Sequence, residues 1–205
     1  MKSRGFSIIE MTVTLVIFGL LMASAMPSLS SWLRNSKLRS QAEAIQSGLQ
    51  RARDEAVRRN RPITLWLITQ AGESFDSNCT VSSTGLSWFV SSTSPDNACD
   101  STTLVSSDAA SAPRQLVSSS GNPVSVSGFT DSTQSTAASS VTFDGFGRVV
   151  TSATPASNLR RIYIAYATSA SSDRVQRIDI NTNGLVRACD TSVSATDPRH
   201  CPDTE

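Results

Sequence analysis

Few residues in this chain carry chemistry, and the first of them is out of place. Glu10 sits in a run, Arg4 to Leu29, that is otherwise nearly all apolar. A carboxylate at the centre of a membrane helix costs about 2.5–3.5 kcal/mol on insertion scales, and less near an end, so it calls for a cation close by. The second set is five arginines, Arg160, Arg161, Arg174, Arg177 and Arg187, which with Asp173 and Asp179 give this C-terminal region a charge of +3. Arginines of this kind can hold backbone phosphates without reading a base sequence. The tail after Cys189 works against a polyanion, because Asp190, Asp197, Asp203 and Glu205 face only Arg199, and no aromatic ladder is present to stack bases. The third set is Cys79, Cys99, Cys189 and Cys201. An even count fits disulfides in an oxidising compartment. Three pairings are open on paper, and four reduced thiols are the alternative. The local pairing, Cys79–Cys99 with Cys189–Cys201, closes two short loops and is preferred.

Catalysis has little to stand on. The single histidine, His200, lies beside Cys201, and any Ser-His-Asp or Cys-His arrangement would have to be built on it. There is no H-E-x-x-H and no paired CxxC, and "DGFG" offers turn glycines rather than a loop that cradles phosphate. The expectation is a protein that is not an enzyme and that takes no metal and no cofactor. With 18 Lys+Arg against 17 Asp+Glu, overall charge argues neither for nor against an anionic partner. Much of the apolar content lies at the front, and the remainder supports one domain of roughly 100–150 residues.

The element that positions Glu10 is a helix. Lys2 and Arg4 form a positive flank, and Phe6 to Met26 is a 21-residue apolar stretch. As a helix it spans about 31 Å, close to the thickness of a hydrocarbon core. A plain membrane anchor accounts for its length. A secretory signal peptide accounts for Ala23-Ser24-Ala25, which resembles a small-x-small cleavage site. Neither accounts for Glu10.

A third reading does. "GFSIIE" resembles the cleavage site of type IV prepilins and pseudopilins. The resemblance implies a leader, residues 1–5, removed by prepilin peptidase after Gly5, and N-methylation of the new terminus, Phe6. It also implies an assembly role for Glu10. The electrostatics agree, since cutting before Phe6 creates an amine one helical turn from Glu10. Within a chain that pair offsets part of the burial cost. Between chains, Glu10 of one subunit can meet the Phe6 amine of the next and set axial register. Pro27 cannot donate to the carbonyl of Ala23, so a kink is expected there. Pilin-like chains often carry a proline at this point.

After Pro27 the pattern becomes amphipathic. Trp32, Leu38, Ala42, Ile45, Leu49, Ala52 and Ala56 recur at mostly three- and four-residue steps, which predicts one apolar stripe packed on the C-terminal domain. Eight cations against three acids give this stretch +5. Arg58, Arg59 and Arg61 suit a helix C-terminus, and Pro62 ends the helix. The expected rod from Phe6 to Asn60 is about 80 Å long. Its parts are a transmembrane and assembly helix over 6–26, an amphipathic half over 27–61, and a β-rich head over 62–205.

In the head, "ITLWLI" and "LSWFV" read as strands. "VTFDGFGRVV" reads as two short strands around an Asp144-Gly145 turn, and "RIYIAYA" with "RVQRIDI" as a hairpin. Asn183-Gly184 is a tight turn leading into "LVRAC". Residues 91–140 read as long loops with short strands near Gln115–Val117 and Val124–Val126. The fold class is therefore α+β, a long N-terminal helix packed on a mainly antiparallel sheet.

The layout is similar to that of the GspH/FimT branch of minor pilins and pseudopilins. The carrying stretches are "ARDEAVRRNRPITL", "VTFDGFGRV" and "NGLVRAC". The resemblance implies a single-pass inner-membrane protein with its head in the periplasm, later part of a pilus or pseudopilus. It implies inner-membrane lipid, prepilin peptidase, an inner-membrane assembly platform and other major and minor pilins as partners. The place expected is the initiating or tip complex, in support of pilus biogenesis, with twitching, adhesion or DNA uptake downstream. Two alternatives stay open, a type II secretion pseudopilin and a DNA-binding minor pilin. The Gly-Arg-x-Arg motif of the DNA-binding members corresponds here to Gly184-Leu185-Val186-Arg187, with Leu185 in place of the first arginine.

Overall fold

The computed structural model describes residues 7–72, 74, 76–100, 114–151 and 158–202, without the side chains of residues 25 and 27. It divides into two compact units, residues 1–37 and residues 38–205. One helix, α1 (Ile8–Arg59), contributes to both. Gly5 and Phe6 lie outside the described residues.

In the first unit helical backbone runs without interruption across position 27, as the sequence after Pro27 implied. The hydroxyl-bearing side chains fold back onto their own helix. Thr12 Oγ1 donates to the carbonyl of Ile9 (2.9 Å), Thr14 Oγ1 to Met11 (2.9 Å) and Ser24 Oγ to Leu21 (2.8 Å). Such bonds satisfy a hydroxyl without water. Trp32 departs from the sequence reading. It was expected in the packed stripe, but its side chain is 64% exposed, and the buried stripe begins only at Leu38.

In the second unit the stripe is realised. Leu38, Ala42, Ile45, Leu49, Ala52 and Ala56 are at most 2% exposed and share one core with β1 (Ile63–Thr69), β3 (Ser87–Ser91) and the inner faces of the later strands. Gly48 admits the Trp88 ring to the helix, since a Cβ there would lie 2.6 Å from it. The helix ends one residue before the expected Asn60. The Asn60 N–H donates to Val57 and the Arg61 N–H to Ala56, both at 3.2 Å, with Asn60 at φ 47°. This is a Schellman ending with asparagine in the left-handed position, and Pro62 follows it. Within the last turn Arg58 and Arg59 both pair with the buried Glu55.

The head is antiparallel as expected, and among the described residues it is built as two sheets. In the first, β1 lies between β3 on one edge and, on the other, β2 (Thr80–Val81) near its end and β6 (Ser140–Phe143) near its start. A short β4 (Arg114–Gln115) pairs with β3. The second sheet has the order β5 (Val124–Phe129), β7 (Arg161–Tyr166), β8 (Gln176–Ile180), β9 (Val186–Asp190). The β7–β8 hairpin and the β8–β9 turn are those read from the sequence. The two strands expected around Asp144-Gly145 are not both formed. β6 ends at Phe143, and beyond it only a single bridge joins Phe143 to Val149. Asp144 organises the intervening loop instead, with Oδ1 accepting the N–H groups of Phe146 and Arg148, both at 2.9 Å.

Both short-range disulfides are present, Cys79–Cys99 and Cys189–Cys201. The first forms a second small core with Ile68 and Phe89, on residues of β1 and β3 that alternate with those facing the helix. That explains why Ser87–Ser91 is buried throughout rather than on alternate residues.

Candidate functional site

Two places in the molecule hold the residues singled out by the sequence. The first is the start of α1. Helical hydrogen bonding begins with the Met11 N–H to the Ser7 carbonyl, 3.2 Å, so Glu10 lies in the first turn. There a carboxylate is favoured by the unpaired N–H groups and the positive end of the helix dipole. The order Ser7-Ile8-Ile9-Glu10 also has the spacing of a capping box, a signal the sequence reading did not use. Glu10 is exposed, and so are the apolar residues around it, including Ile8, Ile9, Met11 and Val13. By length and composition this helix is sufficient to cross a membrane.

The second place is the outer face of the second sheet. Cross-strand register puts Arg161 of β7 opposite Asp179 of β8, and Asp179 opposite Arg187 of β9. The result is a cation–acid–cation row across three strands, on residues that alternate with Ile162, Ile178 and Ala188 of the core. Arg161 is buried, with Nε 3.5 Å from Asp179 Oδ1. Arg177 is also buried, and its Nη2 donates to Asp179 Oδ2 (2.9 Å) and to the carbonyl of Pro202 (2.6 Å). Arg187 is exposed and, among the described residues, makes long bonds to the carbonyls of Pro198 (3.3 Å) and His200 (3.5 Å). Arg160 is half-buried, and desolvation pulls its guanidinium below the usual pKa. Arg174 is exposed and does not line the same cleft.

Arg160, Arg161 and Arg187 therefore come together, with Asp179 and Asp131, around an open cleft of about 600 Å³. Arg177 is committed to structure, holding the tail to the sheet. The disulfide Cys189–Cys201 and a bridge between Asp190 and His200 fix the same tail. His200 is part of that clasp, its Nδ1 lying 2.8 Å from the carbonyl of Val193. Among the described residues no group of three or more His, Cys, Asp or Glu side chains could hold a metal.

Comparison with known families bears on both places. A family model described as "Type II transport protein GspH" matches residues 41–184. The chain belongs to the GspH family. A second model, the prokaryotic N-terminal methylation motif, matches residues 1–26, which include Gly5, Phe6 and Glu10. The two matches together place the chain among pilin-like proteins that carry an N-terminal methylation motif.

The GspH-family match begins inside the buried part of α1 and ends at the Asn183-Gly184 turn, so Leu185, Arg187 and Pro202 on the cleft wall fall outside it. Two crystal forms of the type IV minor pilin FimU of Pseudomonas aeruginosa are similar in structure. One is 15% identical, with 77% of this chain and 97% of that one covered and a TM-score of 0.42. The other is 16% identical, with 74% and 87% covered and a TM-score of 0.43. No curated protein matches the chain.

Proposed function

We propose that this chain is a minor type IV pilin, cut after Gly5, methylated at Phe6 and built into a filament through its N-terminal helix. The observation that carries the reading is the methylation-motif match over a helix whose first turn holds Glu10 amid exposed apolar side chains. Residues 1–5 are the leader, 6–26 the segment that passes from membrane to filament core, 27–61 the amphipathic half, with a kink at Pro27, and 62–205 the head. Prepilin peptidase, the inner-membrane assembly platform and other pilins are its partners, and its place is at the initiating end or tip. Glu10 acts by ion pairing with the Phe6 amine of a neighbouring subunit, an interaction strengthened where water is excluded.

The test is a Glu10→Ala variant expressed beside the wild-type chain. Mass spectrometry should find methyl-Phe6 at the mature terminus of both, while filaments sheared from cells should contain only the wild type. Normal incorporation of Glu10→Ala, or a mature chain that keeps its first five residues, would remove the reading. The description of the matching family, a type II transport protein, favours a second reading on the same scaffold, a secretion pseudopilin. Deletion distinguishes the two, abolishing twitching in one case and exoprotein release in the other.

A further inference from the structure

The cleft on the second sheet has no role in the assembly proposed above, and its walls hold unmet hydrogen-bonding capacity. Arg160 Nη1 is buried and has no hydrogen-bond partner among the described residues, whereas Asp179 Oδ1, also without a hydrogen bond there, is ion-paired with Arg161 Nε at 3.5 Å. Buried polar groups are nearly always paired, and an unpaired one costs about 1–3 kcal/mol. Arg160 therefore has no Nη1 bond to give up when it turns toward a ligand. Among the described residues, Arg187 has two long bonds to carbonyls to exchange.

Among the described residues, the charges facing the cleft are Arg160, Arg161 and Arg187 against Asp131 and Asp179. Asp131 is engaged by its own loop, accepting from Ser135 Oγ (2.8 Å) and Thr133 Oγ1 (3.0 Å), which holds its carboxyl below the usual range. Asp179 is held between arginines. Among the described residues one positive charge is left over. That suits a single anionic group and not a polyanion, which would meet Asp179 in the middle of the row and Asp131 beside it. The remaining wall is peptide-like in its demands. Leu185 offers an apolar surface, 53% exposed, and the turn Asn181–Asn183 is exposed and polar.

We propose that this cleft docks an acidic peptide segment of a neighbouring filament subunit. The Asp or Glu carboxylate of that segment is received by Arg160 and Arg187, and an adjoining apolar side chain packs on Leu185. The reading of the chain as a filament subunit enters only in naming the source of the peptide. Carboxylate fits the forked donors of arginine, and arginine is among the residues enriched at interface centres.

The full chain in detergent micelles is titrated with a fluorescein-labelled peptide, Gly-Ser-Leu-Glu-Leu-Ser-Gly, followed by anisotropy. Saturable binding is expected, weakened about tenfold by Arg160→Gln, by Arg187→Gln, or by Gln for Glu in the peptide, the size of one charged hydrogen bond. Arg160→Lys should recover part of the loss. Arg148→Gln, at a residue that does not line the cleft, should change nothing. Absence of saturable binding, equal affinity for the Gln peptide, indifference to both arginine substitutions, or tighter binding of a short DNA duplex each overturns the proposal.

The source is tested in filament-forming cells with a photocrosslinking residue in place of Leu185. The adduct should map beside an Asp or Glu of another filament subunit, and an adduct on nucleic acid, or none, counts against it. The peptide arm needs no filament, and the Glu10→Ala test needs no cleft, so the two readings fail separately.

Discussion

The front and the rear of α1 are both rich in apolar residues and have opposite fates. From Leu38 to Ala56 the apolar side chains form a stripe that is at most 2% exposed. From Ile8 to Leu33 they cover the whole circumference, and Ile8, Leu15, Phe18 and Leu20 are each more than half exposed. A stripe implies one partner surface, and here the head supplies it. An apolar circumference implies a surrounding that is apolar on every side. The back-bonded hydroxyls of Thr12, Thr14 and Ser24 follow the same logic, because they leave no polar hydrogen seeking water. Glu10 is the exception in the front half, and its position in the first turn is where a carboxylate does least harm.

The sharpest way to break this comparison is to remove the same side chain from each half. Leu49→Ala should lower the stability of the head by about 3–4 kcal/mol, while Leu15→Ala should change it by less than about 0.5 kcal/mol. Urea unfolding of the full chain in micelles, followed by tryptophan fluorescence, reads both. Equal effects would mean that the front half is also part of the folded head. Next in size is the double change Cys79→Ser with Cys99→Ser. Opening that 20-residue separation should cost the head about 3 kcal/mol and leave membrane insertion of the front half untouched, as fractionation would show.

The smallest effect is electrostatic and confined to the tail. Donation from the Arg199 side chain and then from its backbone N–H lowers the Asp197 pKa to about 2. A depressed carboxylate pKa contributes stability that is present above the ordinary value of 3.8 and is lost as pH falls toward about 2. An NMR titration of the Asp197 carboxyl should therefore show a midpoint near 2 in the wild type, moving toward 3.8 in Arg199→Ala. The stability of residues 8–37 should not respond to either change.

The helix and its punctuation were legible because their signals are local. Three- and four-residue spacing placed Ala42, Ile45 and Leu49 on the core side, and Pro62 fixed the end to within a residue. Trp32 misled because the periodicity that gives a face does not say where the partner surface stops. Hairpins with short links were equally readable, and alternation put Ile162, Ile164 and Tyr166 inward, as found. The pairing of β6 with β1 was not legible, since strands about 75 residues apart in sequence meet through long-range register that no local pattern encodes. Nor could charge counting distinguish Arg177, buried and bonded to Pro202, from Arg187, exposed on the cleft wall.

By itself the sequence determined that a basic leader, a glycine, a phenylalanine and a glutamate precede a greasy helix, because those are matters of order and spacing along one chain. It likewise determined which helical face is apolar and which cysteines are near enough to close short loops. Only the tertiary structure decided that Arg161, Asp179 and Arg187 stand in one row and that Arg160 borders the same cleft with a guanidinium nitrogen that has no hydrogen-bond partner among the described residues. Which charges neutralise one another depends on distances of a few ångströms between strands, and those distances are set by packing rather than by position in the chain.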